Sequence, residues 1–310
     1  MVKGDTLLIK RKATDTTQYN ETPLYTSQST HASPTKLRDI QYLQNYGSQS
    51  LIYNVPDIRK CLAHCPYDQD QRAIIVDLIA KILDKTIHDI YAAEFFKTIA
   101  IIDLYFKYRI SNTEKVDIKL IGKAALFLIL KYENKISSSK KLLKNLIKND
   151  DSDRLPLLKL ELDIFKSVGF NLKFSTIYDL YCSHHLKYFQ NITEFNDIKN
   201  IGIKILFICV LDTHFNDICA IKLCLSVLRY AVQYYMKLKL RNDTKISKFH
   251  DPMPISFLMT ISNKMVEDVG DEKYFENTIV KIKKHIRSYR NKFSQCDFIT
   301  TRVKFEHDKL

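Results

Sequence analysis

Four charged residues stand where helical spacing calls for apolar ones: Arg72, Asp103, Lys131 and Glu161. Lys131 ends the stripe Leu120, Ala124, Phe127, Leu128 within the stretch Gly122–Asn134, and Glu161 interrupts the stripe Leu157, Ile164, Phe165, Val168. Arg72 begins Ile75, Val76, Ile79, Leu83, and Asp103 falls within Phe96, Ile99, Ala100, Phe106. A charge on an apolar face is costly unless another group accepts it. Asp103 and Glu161 could act as general acid and base; the plainer reading is salt bridges, or a surface that meets a partner. Other catalytic chemistry is scarce. Gly122-Lys123 lacks the upstream glycine and the following Ser or Thr of a phosphate-binding loop, and neither His-Glu-x-x-His nor Gly-x-Ser-x-Gly occurs. Cys61, His64 and Cys65 lie close together, as do Cys182, His184 and His185, but no Cys-x-x-Cys is present. No metal and no cofactor is expected on that spacing.

The elements that carry these charges are helices. The chain has 310 residues with only 6 glycines and 7 prolines, which argues for long helices and against a β-sandwich or barrel. Five segments of helical periodicity cover about 70–85, 90–109, 115–133, 137–148 and 153–168. Ser111-Asn112, Ser137–Ser139 and Asp151–Asp153 punctuate the connections; Pro156 suits a first helical turn and Gly169 a C-cap. A second series spans about 175–188, 197–212, 217–239, 254–268 and 272–291. Five helices followed by five of similar length predict an all-α protein built from a duplicated unit.

Residues 1–36 are polar, without an apolar face, and read as a disordered tail; 294–310 read as a second, loose tail. The first tail holds Lys10-Arg11-Lys12 and Ser33-Pro34-Thr35-Lys36, the latter fitting a proline-directed kinase, so Ser33 is a phosphorylation candidate. A short helix is expected near Lys36, with Ile40 and Leu43 on one side. The apolar runs Ala124–Leu130 and Ile205–Leu211 are far short of a membrane span, and the N-terminus lacks a signal-peptide core, so a soluble intracellular protein without a membrane partner is expected. Seven scattered cysteines suit free, buried thiols better than disulfides. The net charge of +13 bears on association, not identity; its one dense cluster is Lys281, Lys283, Lys284, His285, Arg287, Arg290 and Lys292 in the last helix.

Several stretches, in order, resemble the cyclins, and within them the A/B-like mitotic group. Gln71-Arg72-Ala73-Ile74-Ile75-Val76-Asp77-Leu78-Ile79 is similar to the opening of the cyclin box, usually Met-Arg-Ala-Ile-Leu-Val-Asp-Trp-Leu. Ile101-Ile102-Asp103 resembles Leu-Ile-Asp, and Leu120-Ile121-Gly122 followed by Lys131-Tyr132-Glu133 resembles Leu-Val-Gly with Lys-Tyr-Glu. Lys159-Leu160-Glu161 stands where the family has Met-Glu, and Asp39-Ile40 with Tyr42-Leu43 resembles the helix before the box. The five signature positions fall on Arg72, Asp103, Leu120, Lys131 and Glu161.

The resemblance implies an N-terminal cyclin box with its preceding helix over 37–172 and a C-terminal cyclin fold over 173–293. It implies a heterodimer with a cyclin-dependent kinase, which this non-enzymatic subunit would activate toward protein substrates in cell-cycle control, in nucleus and cytoplasm. Arg72 and Asp103 would form a structural ion pair. Lys131 and Glu161 would face the kinase, with Leu128, Tyr132 and Phe165 as the apolar part of that surface. The family's docking patch for Arg-x-Leu substrates falls on Gln71, Ile74, Ile75 and Leu78 and is degenerate: Leu78 replaces tryptophan, Gln71 replaces methionine, and Lys81 stands where an acid is usual. Two alternatives remain open: a protein similar to general transcription factor IIB, associated with nucleic acid, and a scaffold that activates no kinase. The kinase-facing signature and the missing zinc ribbon make nucleic acid the less expected partner.

Overall fold

The computed structural model describes residues 54–87, 92–108, 116–133, 154–189, 195–242, 255–269 and 272–303. Every described residue belongs to one compact unit within Gln49–Leu310. Ser33, the helix expected near Lys36, the helix expected at 137–148 and the last residues of the chain lie outside the described residues.

All regular structure among the described residues is helical. A first group comprises α1 (Gln69–Ile87), α2 (Ala92–Tyr108), α3 (Ile118–Tyr132) and α4 (Arg154–Ser167). A second comprises α5 (Ile177–Phe189), α6 (Asn196–Cys209), α7 (Ala220–Asn242), α8 (Ile255–Val269) and α9 (Glu272–Lys292), and α10 (Asp297–Arg302) follows. Each group is wrapped around one central helix. In α3, Ala124, Ala125, Leu126, Ile129 and Leu130 are all buried, and α1, α2 and α4 pack on it from different sides. In the second group α7 has that place, against α5, α6, α8 and α9.

Local chemistry sets the helix ends. Asp68 accepts the Gln71 amide at 2.8 Å while the Gln71 side-chain oxygen accepts the Asp68 amide at 3.1 Å, a reciprocal capping box that starts α1. Asp117 starts α3 by accepting from the Lys119 amide at 3.0 Å. Gly169, at φ 63, closes α4 in the left-handed region, as its placement in the sequence predicts. Gly122 has a different reason to be small: a Cβ there would come within 2.7 Å of Ile75 Cγ2, so α1 and α3 approach through it.

One continuous apolar core joins the two groups. Phe95 of α2 meets Phe207 of α6 at 4.5 Å between ring centroids, and Phe96 stacks on Tyr178 of α5 at 5.7 Å. The end of the described chain differs from the loose tail expected at 294–310. Cys296 and Ile299 are fully buried, and Asp77 of α1 accepts the Ile299 amide at 2.7 Å and the Phe298 amide at 3.3 Å. Arg302 pairs with Asp84 at 2.8 Å, and Gln295 donates to Asp70 at 3.3 Å. Three aspartates seven residues apart on α1 therefore fasten α10 and its approach. The apolar signal in this segment is too short to be read as helix, and the carboxylates that cap it lie more than two hundred residues earlier.

Candidate functional site

Arg72 and Asp103 meet at the junction of the two groups. Arg72 Nε donates to Asp103 Oδ1 at 2.6 Å and Nη2 to Oδ2 at 2.7 Å, and both side chains are wholly buried. The third arm of the guanidinium, Nη1, donates to the Val210 carbonyl at 2.6 Å, and Asn216 Nδ2 donates to Asp103 Oδ2 at 3.1 Å. Burial works against the charge on Arg72, but the Asp103 carboxylate outweighs it and raises the guanidinium's pKa. Beside them Gln69 receives the Thr213 amide at 3.0 Å. The pair therefore ties α1 to α2 and both to the turn after α6. This second connection, between the two helical groups, has no counterpart in local sequence spacing.

Lys131 and Glu161 meet at the opposite kind of place, an edge. The last turn of α3 and the middle of α4 bring Nζ within 2.5 Å of Oε1, with the lysine side chain 45% exposed and the glutamate 10%. The ammonium also lies 4.8 Å above the Phe127 ring. Next to the pair, Tyr132 is exposed under the ammonium of Lys97, itself 2.7 Å from Glu133. Phe165 is half-buried, edge-on to the exposed Phe170 at 5.0 Å. Leu128 is 6% exposed and belongs mostly to the core. Sequence reasoning missed the leucines of α4: Leu155, Leu158 and Leu162 are exposed to 68%, 37% and 50%. Their spacing of three and four places them on one stripe with Phe165. An exposed leucine stripe that no other described residue covers, beside a largely buried carboxylate, suits a protein-binding surface. The signal was the leucine periodicity of α4 itself, which has two faces (Leu157, Leu160 and Ile164 on the buried one) and so more apolar residues than one core needs.

The docking-patch residues are dispersed. Ile75 is fully buried in the core against Gly122 and cannot line a groove, a correction to its expected place. Gln71 is engaged in the capping box, while Ile74 and Leu78 are partly buried and Lys81 is exposed.

No activated nucleophile emerges from the buried thiols. Burial pushes Cys61 and Cys296 each up to about 12 and holds Cys209 and Cys224 higher still, so all four stay neutral. All seven cysteines are free. No group of three or more His, Cys, Asp or Glu able to hold a metal occurs among the described residues. Cys61 instead contacts Asp103 and His185 contacts the Phe195 carbonyl, while burial pulls His185 down to about 4. Among the described residues no helix is long and apolar enough to cross a membrane.

These features define a class. Residues 41–173 match the family model described as Cyclin, N-terminal domain. Among solved structures, the chain is similar to a viral cyclin from herpesvirus saimiri, with a TM-score of 0.50, 12% identity, and coverage of 80% of this chain and 95% of that one. At that identity the likeness speaks for the fold, which is the two-part helical fold of a cyclin. No curated protein matches the chain.

Proposed function

We propose that the chain is the regulatory subunit of a cyclin-dependent serine/threonine kinase, with which it forms a heterodimer, and that it catalyses nothing itself. The observation that carries this reading is the Lys131–Glu161 pair, 2.5 Å apart at the rim of the exposed leucine stripe of α4. Lys131 keeps enough exposure to reach a partner, and Glu161 keeps its orientation through Lys131. Docking of the kinase's regulatory helix on Leu158, Leu162, Tyr132 and Phe165 would select the state in which that helix's glutamate meets the ATP-site lysine. The pair and the leucines thus supply partner-binding energy; the kinase supplies the chemistry. The A/B-like character, the role in cell-cycle control and a nuclear and cytoplasmic location follow from the motif resemblance and belong to this proposal, as does phosphorylation of Ser33 by the assembled complex. The test is a phosphorylation assay on a histone-type substrate across a panel of cyclin-dependent kinases, with and without the chain. Strong activation of at least one kinase is expected; no activation of any would refute the reading.

A further inference from the structure

The basic cluster of the last helix plays no part in that site. On α9, Lys283, Lys284 and Arg287 share one outward face with the exposed Val280, along a furrow of about 510 Å³. None of the three cations has a carboxylate within salt-bridge distance among the described residues, and Glu276, whose charge acts on Lys283, is paired with Arg229 at 2.6 Å. Burial lowers the Lys283 pKa, and the neighbouring Lys237 adds to the effect, as expected for like charges crowded together. Beneath them lies Tyr230 of α7, 2% exposed, with the Lys283 ammonium 5.5 Å from its ring centre. Among the described residues its hydroxyl has no hydrogen-bond partner. A buried hydroxyl left unpaired beside uncompensated cations is unfavourable on both counts, and one anion with several acceptor oxygens would relieve both.

We propose that this α7–α9 face binds a phosphorylated segment of another protein, with the phosphoryl group held by Lys283, Arg287 and the Tyr230 hydroxyl. Lys283 and Arg287 are one helical turn apart, so two cations converge on one group, and a phosphoryl dianion accepts several charge-assisted hydrogen bonds at once. Val280, 60% exposed at the end of the furrow, offers an apolar foothold for a flanking side chain. A nucleic acid would instead want a longer cationic track with exposed aromatic rings to stack on, whereas Tyr230 and Tyr234 are only 2% and 6% exposed. The site is independent of the kinase reading, and its test uses the full chain alone. Fluorescence anisotropy would compare a labelled phosphoserine peptide pool with randomised flanks, the same pool unphosphorylated, and a single-stranded oligonucleotide of similar length. The phosphorylated pool should bind about tenfold or more tighter than the unphosphorylated one. Lys283→Glu with Arg287→Glu should remove that preference without changing the thermal melt, and Tyr230→Phe should weaken it about threefold. Equal binding of the two pools, tighter binding of the oligonucleotide, or full affinity in the charge-reversed variant would overturn the proposal.

Discussion

Replacing Arg72 by alanine should be among the most damaging single changes in this protein. The substitution removes two bonds to Asp103, at 2.6 and 2.7 Å, and one to the Val210 carbonyl at 2.6 Å, all in a wholly buried place. What remains is a carboxylate at zero exposure with Asn216 at 3.1 Å and the weak thiol of Cys61 at 3.7 Å. Breaking a buried pair from one side typically costs about 3–5 kcal/mol, mostly the penalty of the stranded charge. Because Asn216 still donates, the lower end applies, about 3 kcal/mol, or roughly 6–12 °C in melting temperature for a unit of this size. Lys131→Ala is the control: its side chain is 45% exposed, and exposed pairs contribute at most about 1 kcal/mol. Thermal and urea melts followed by far-UV circular dichroism would compare the two variants with Arg72→Leu/Asp103→Leu. The double variant should be more stable than Arg72→Ala, since it leaves no unpaired charge. If Lys131→Ala melts lower than Arg72→Ala, the separation of a structural pair from a docking pair is wrong.

Kinase binding should respond in the opposite order: Glu161→Ala or Lys131→Ala should cost about 2–5 kcal/mol of affinity with a small change in melting, and Leu162→Glu should do the same, as titration calorimetry would show. Stability should fall as pH drops from about 6.5 toward 4. Burial lowers the folded-state pKa of His184, His185 and His285, so the unfolded chain takes up protons first and stability is complete only above the unfolded value. His185, at about 4 in the fold, accounts for up to roughly 3 kcal/mol of this, and His185→Phe should flatten the dependence of melting temperature on pH; an unchanged slope would discount it. Gly202→Ala should destabilise by more than about 2 kcal/mol in a urea melt, because the new Cβ would stand 1.9 Å from the buried Tyr181 hydroxyl. An Arg-x-Leu peptide should bind only weakly, since Ile75 is in the core and Lys81 repels the arginine; micromolar affinity lost on mutating Ile74 and Leu78 would contradict this.

Much of this protein was legible in one dimension, and for one physical reason. Helices announce themselves through periodicity and caps, both local, so nine of the expected segments reappear within a few residues of α1 to α9, and Gly169 closes α4 as its position implies. The four misplaced charges were legible too, because a charge on an apolar stripe is an anomaly wherever it occurs, and the structure joins them as Arg72–Asp103 and Lys131–Glu161. Pairing across helices was only implied by the resemblance; periodicity says that a charge needs a partner and not which one. Tertiary structure alone decided the rest. It set the depth of each pair, one sealed between two helical groups and the other at a rim. It turned Ile75 into the core through the gap at Gly122, left the leucines of α4 uncovered, and fastened α10 to Asp70, Asp77 and Asp84. Each of these depends on contacts between residues dozens to hundreds apart, where burial is set by what the rest of the chain places opposite, and no local pattern carries that information.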